Sequence, residues 1–140
     1  MNVNVKQLSV LIDTTSGKMS EATAALGAAK VNIRGFSVSD NADYGIVRLI
    51  VDDPKKGREA LASAGFVVKE HDVVCLDLPD HPGGLAHVLK VVSDSGVVIE
   101  YVYSLISTHV VVNVADPDRA VALLRGSEVH VTSQDEISAL

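Results

Sequence analysis

Apolar and polar side chains alternate over residues 6–13, with Leu8, Val10 and Ile12 on one side, the period-two mark of a half-buried strand. After a turn cluster at 14–17, Met19, Ala22, Leu26 and Ala29 recur at helical spacing, and Ser16 is placed to cap the first turn. Residues 31–39 and 44–51 read as two strands around a hairpin at 40–43. Pro54 suits the first position of a helix that Gly57, Leu61 and Ala64 continue and Gly65 ends. A strand at 66–70 completes the order β-α-β-β-α-β.

The same order then returns. Residues 73–78 pattern as a strand and 80–84 as a turn with Pro82, ahead of a helix striped by Leu85, Val88, Leu89 and Val92. Strands at 97–105 and 109–114 follow, then a helix marked by Pro117, Ala120, Val121 and Leu124. Residues 128–132 close the second sheet, and 133–140 read as a tail or a short final turn. The halves align at their turns. Gly17-Lys18-Met19 recurs as Gly83-Gly84-Leu85 and Val31-Asn32-Ile33 as Val97-Val98-Ile99, both displaced by 66 positions (83 − 17). Asp53-Pro54 recurs as Asp116-Pro117 at 63 (116 − 53), the drop expected if the second hairpin is shorter. With only residues 69–72 as a linker, the pattern predicts two modules, 1–70 and 71–140, of class α+β and ferredoxin-like topology.

Composition narrows what such a fold can be doing. The 140 residues are 47% apolar, enough for a packed core, and carry a net charge of -6. An acidic balance with 4% aromatics and no Trp argues against nucleic-acid binding, which needs clustered positive charge and stacking platforms. Cys75 is alone, so neither an internal disulfide nor a thiolate cluster can form. No apolar run has the length of a signal peptide or membrane span, so a cytoplasmic protein without membrane association is expected.

Ferredoxin-like modules host many functions, and several fail on chemistry here. Iron–sulfur binding needs four thiolates. A metal-carrying module needs Cys-x-x-Cys in the first loop, where this chain has Thr14-Thr15-Ser16-Gly17 and Asp80-His81-Pro82-Gly83. A small phosphatase needs an Arg there, and an RNA-binding module needs exposed aromatics on a basic sheet; the nearest candidates, Tyr101 and Tyr103, lie beside Glu100 on an acidic protein.

Asp77-Leu78-Pro79-Asp80-His81-Pro82-Gly83-Gly84-Leu85-Ala86, followed by Gly96-Val97-Val98-Ile99, resembles the ACT domain, a regulatory module that binds amino acids. The first half is similar at Asp13-Thr14-Thr15-Ser16-Gly17-Lys18-Met19 and Val31-Asn32-Ile33. There Ser16 stands where the family often has Pro and Asn32 keeps its frequent Asn, while the second half has Pro82 but Val98. The resemblance spans nearly the whole chain as two copies. It implies modules packed side by side with a shared antiparallel sheet and a ligand at their interface near the first turns. The ligand-binding candidates are then Ser16, Gly17, Lys18, Met19, Asn32 and Ile33 in one half. In the other they are His81, Pro82, Gly83, Gly84 and Leu85. The glycines let backbone approach a ligand, the helix N-termini offer N–H groups and a positive dipole end to an α-carboxylate, and Asn32 can bond either end of an amino acid. What the resemblance implies is a non-catalytic sensor of a small molecule, an amino acid, with no cofactor and no metal, regulating an enzyme in trans.

The same residues admit plainer roles. Gly17 and residues 82–84 suit a tight strand-to-helix turn, Ser16 and Asp80 suit N-caps, and Asn32 suits a neighbouring turn. Lys18 opposes the helix dipole, which favours a ligand-facing role. The five His show no metal-binding spacing, and Asp52-Asp53 and Asp116-x-Asp118 read as helix caps. Successive apolar residues in Val110-Val111-Val112 and Ile46-Val47 place hydrophobic side chains on both faces of their strands. Helices cover one face of such a sheet, so the other is expected to form a homodimer interface. The alternative function is a structural or protein-interaction module that uses that open face and binds no small molecule.

Overall fold

The computed structural model describes residues 4–13, 16–40 and 44–140. In chain order the elements are β1 (Val5–Ile12), α1 (Lys18–Ala28), β2 (Ile33–Asp40), β3 (Gly45–Val51), α2 (Pro54–Ser63) and β4 (Val67–Asp77). They continue as α3 (Gly84–Asp94), β5 (Ile99–Ser104), β6 (His109–Val114), α4 (Pro117–Leu124), β7 (His130–Thr132) and α5 (Gln134–Ser138). The expected hairpin at 40–43 and the turn at 14–17 fall partly outside the described residues.

The fold is α+β with the β-α-β-β-α-β order carried twice, and the chain divides into two compact units. One comprises Lys6–His71 with Ile137–Leu140; the other comprises Asp72–Glu136 with the described residues up to Val5. In the first, strands lie in the order β2-β3-β1-β4. Antiparallel pairing sets Leu8 opposite Leu49 and Val10 opposite Val47, so both strands turn their apolar set to one face. Ala22 and Leu26 of α1 and Leu61 of α2 close that face into a core with Leu8, Val10, Leu49 and Val51. Leu8, Leu26 and Leu61 are 0% exposed, each gaining about 1.5–3 kcal/mol from burial. In the second unit β5 pairs with β6, and β6 and β7 each pair with β4. Leu76, Val110, Val112 and Val114 meet Val88 and Val92 of α3 and Leu124 of α4 in a core of the same design.

Three elements differ from the sequence-based expectation. First, residues 69–72 are no linker: β4 runs unbroken from Val67 to Asp77. Nothing in Lys69-Glu70-His71-Asp72 breaks a strand, and buried Gln7 donates its amide N–H to His71 Nε2 at 2.8 Å. Second, the tail holds a short helix. The Ser133 hydroxyl accepts from the Glu136 N–H and Glu136 Oε1 accepts from the Ser133 N–H, both at 3.2 Å, a reciprocal capping box. Ile137 is 0% exposed, and the Arg34 guanidinium donates to the Ile137 and Ser138 carbonyls at 3.2 and 3.0 Å.

Third, the apolar face expected to stand open at β6 is covered. Val110, Val111 and Val112 are all buried within the single chain. Tyr101 and Tyr103 pair with Asn113 and Val111, so their rings share a face with Val111, and they stack at 6.2 Å. The exposed apolar residues of the first unit include Phe36 (63%) and Val38 (41%) on the edge strand β2. A pattern of apolar residues shows that a face wants cover; it does not show what covers it.

Candidate functional site

The four main helices begin in two different ways. Helices α2 and α4 start with proline and are capped by aspartate: Asp53 accepts from the Lys56 N–H at 3.2 Å and Asp116 from the Arg119 N–H at 3.1 Å. Helices α1 and α3 start on Gly17 and Gly83, in the left-handed region at φ 75° and 86°, with no side-chain cap. The capping expected of Ser16 and Asp80 is therefore overturned. The Ser16 hydroxyl donates back to the Asp13 carbonyl at 3.3 Å, and Asp80 stands three residues ahead of the cap position at Gly83. The positive φ at each glycine re-aims the chain, leaving the first turn of N–H groups without a side-chain acceptor.

In the second unit that helix start opens onto a cavity of about 430 Å³. One wall is the turn itself, with Asp80, His81, Gly83, Gly84 and Leu85; the other is the β5–β6 hairpin, through Ser107 and Thr108. The turn is held by its own backbone: the His81 N–H donates to the Pro79 carbonyl at 2.9 Å and the Gly84 N–H to the His81 carbonyl at 3.0 Å. Gly84 is buried so tightly that a Cβ there would lie 2.1 Å from the Pro79 oxygen. The hairpin is tied to the strand end, with Leu78 N–H donating to the Thr108 carbonyl at 2.9 Å and the Thr108 hydroxyl donating to Asp77. Ser107 at its tip has φ 60°.

Of the second-half candidates, His81, Gly83, Gly84 and Leu85 line this cavity; Pro82 is not among the lining residues. His81 Nδ1 sits 3.0 Å from the Pro82 carbonyl and must be the donor, since a carbonyl only accepts. Leu78, Pro79, Ala86, Ser107 and Thr108 also line it, beyond the residues the motif singled out. The hairpin lies more than twenty residues along the chain, and its only sequence signal is the alignment of Ser107-Thr108 with the first-half hairpin.

The first-half candidates divide. Gly17, Lys18 and Met19 start α1, beside the end of β1. Lys18 is paired with Glu21 at 3.1 Å, an i,i+3 contact that answers its mismatch with the dipole without a ligand. Asn32 and Ile33 lie at the other end of the sheet. The register sets Ile33 opposite Val51 and Asp40 opposite Gly45, while Gly45 also faces Ile12 at the end of β1. Seven strand residues, about 23 Å at 3.3 Å each, separate Ile33 from that level. Asn32 is exposed; its backbone N–H and carbonyl pair with Asp52 at 2.9 and 3.0 Å. Ile33 packs against the core.

A smaller cavity of about 250 Å³ lies on the far side of Leu78 and Pro79, bordered by Asp77, His87, Glu128 and His130. His87 and Glu128 approach to 2.6 Å and His130 and Glu136 to 2.8 Å. The hydrogen bond from His130 holds the Glu136 carboxyl below its usual range. Buried His109 has Nδ1 3.2 Å from Thr132 Oγ1 and 3.9 Å from Asp77, so one nitrogen faces both. Cys75 is buried, and its thiol is pushed up to about 12, which keeps it protonated and unreactive. Among the described residues, no three His, Cys, Asp or Glu are grouped to hold a metal ion, and no helix is long and apolar enough to cross a membrane.

Paired ferredoxin-like units, each with an uncapped glycine start at the first helix and an aspartate cap at the second, define an architecture that carries many functions. The ACT domain pair family matches residues 3–139, and the chain belongs to that family. It is 35% identical to the Bacteroides thetaiotaomicron protein BT0572, over 99% of this chain and 98% of that one, with a TM-score of 0.91. The ligand-free regulatory subunit of aspartate kinase from Thermus thermophilus shares the fold at 18% identity, covering 89% and 90% of the two chains, with a TM-score of 0.65. The corresponding Thermus flavus subunit does so at 17% identity, covering 89% and 93%, with a TM-score of 0.57. No curated protein matches the chain.

Proposed function

We propose that the chain is a non-catalytic sensor whose two ACT modules bind an amino acid and pass its presence to a partner enzyme in the cytoplasm. The observation that carries this reading is the uncapped start of α3 over a cavity of about 430 Å³, in a chain that caps α2 and α4 with aspartate. An α-carboxylate would accept from the free N–H groups at the start of α3 and complement the dipole there. The Thermus neighbours that share the fold at low identity are regulatory subunits of aspartate kinase. Binding would favour one arrangement of the chain, and the partner would read the shift in population. Titration calorimetry with each of the twenty amino acids tests it: one or more should release saturable heat, and heat from none refutes the sensor.

The homodimer contact in this reading is the edge of β2. About a twofold axis at Ser37, antiparallel pairing of two β2 strands sets each Phe36 against a Val38, joining two exposed apolar residues twice. It also sets the start of one β2 level with the end of the other, where the partner subunit's Asn32 would reach the turn ahead of α1. That would give Asn32 the ligand role its own unit denies it. Light scattering decides between one chain and two, and Phe36→Lys should yield one.

A further inference from the structure

Resting on the reading that the α3 cavity holds an amino acid, we infer that this cavity rejects acidic amino acids and takes neutral or basic ones, with Asp80 as the discriminating residue. Among the described residues that line it, the only charged side chain is the Asp80 carboxylate; none is Lys or Arg. The positive element is the start of α3, worth about half an elementary charge and consumed by a single carboxylate. A second carboxylate on the ligand has no cation to meet and stands in one small cavity with Asp80, where like charges disfavour each other.

Of the remaining polar side chains, the Ser107 hydroxyl can donate or accept, and the others point the same way. His81 commits its Nδ1 proton to the Pro82 carbonyl, so the neutral ring offers a lone pair at Nε2. The Thr108 hydroxyl already donates to Asp77. Asp80 and His81 therefore present acceptors, which suit an ammonium, an amide N–H or a hydroxyl and not an anion. Asp77 and Glu128, bordering the smaller cavity across Leu78 and Pro79, add negative charge on that side. Leu78 and Leu85 supply apolar surface for the ligand's carbon chain.

The experiment is titration of the full chain with all twenty amino acids at pH 8, where imidazoles are uncharged, repeated on Asp80→Asn. Aspartate and glutamate should bind at least tenfold more weakly than the best ligand, and the variant should narrow that gap at least tenfold. An acidic amino acid within tenfold of the best ligand, or an unchanged gap in Asp80→Asn, overturns the inference while leaving the sensor reading intact. Heat from no amino acid overturns the sensor reading, and the inference with it. Circular dichroism of Asp80→Asn, an exposed position, verifies that the variant is folded.

Discussion

Replacing Gly84 by alanine should destabilise the protein, although the same exchange in most helices does the reverse. On propensity alone, glycine to alanine inside a helix stabilises by about 0.5–1 kcal/mol. At Gly84 the added Cβ would lie 2.1 Å from the Pro79 carbonyl oxygen, at least about 1 Å inside any tolerable contact. The oxygen cannot step aside easily, because it is backbone and accepts the His81 N–H at 2.9 Å. Relief requires α3 to back away from the end of β4, loosening Val88 and Val92 in the core. Overpacking of this kind costs about 1–3 kcal/mol, and the net loss after the propensity gain should be about 1 kcal/mol. Gly27 provides the internal control: it lies in α1, and a Cβ added there would meet nothing within 4 Å, so Gly27→Ala should gain up to about 1 kcal/mol. Urea unfolding followed by circular dichroism reads both. A midpoint for Gly84→Ala at or above the unmodified protein would show that the turn is not packed as described. The same variant moves a cavity wall, so amino-acid binding should weaken with it.

Asp53→Ala and Asp116→Ala each remove a cap from an exposed helix start and should each cost about 1 kcal/mol in urea unfolding, without altering ligand binding at α3. Cys75 should resist a thiol reagent at pH 8 in the folded protein and react stoichiometrically in denaturant, since burial holds its thiol near 12. For Glu136, His130 holds the folded carboxyl below its unfolded value, so its contribution to stability is present above the ordinary carboxylate range and is lost as pH falls through the folded value. Thermal melting should therefore find Glu136→Gln less stable than the unmodified chain at pH 7, with the difference shrinking as pH falls below the ordinary carboxylate range; a difference that stays constant on acidification would refute the linkage.

The parts of the molecule that were legible in the sequence are those governed by short-range physics. Alternation around Leu8, Val10 and Ile12, the helical stripe of Val88 and Val92, and the Asp-Pro pairs at 53–54 and 116–117 act within one or two turns of chain. Strand, helix and cap follow there from local periodicity and hydrogen bonding. The final helix has a local signal too: Ser133 and Glu136 stand at capping-box spacing, but five residues are too few to carry a helical period.

What tertiary structure decided lies between residues distant in sequence. The motif Asp80-His81-Pro82-Gly83-Gly84 marks one wall of a site, but the opposite wall, Ser107 and Thr108, arrives only when β6 pairs with β4 and Leu78 bonds to the hairpin. Asn32 shares a motif with the first turn, yet β2 runs parallel to β1, and that topology carries Asn32 to the far end of the sheet. The placing of Tyr103 beside buried Val111, and the exposure of Phe36 on an edge strand, depend on strand order. Periodicity assigns a side chain to a face; only pairing and packing across the chain determine what that face meets.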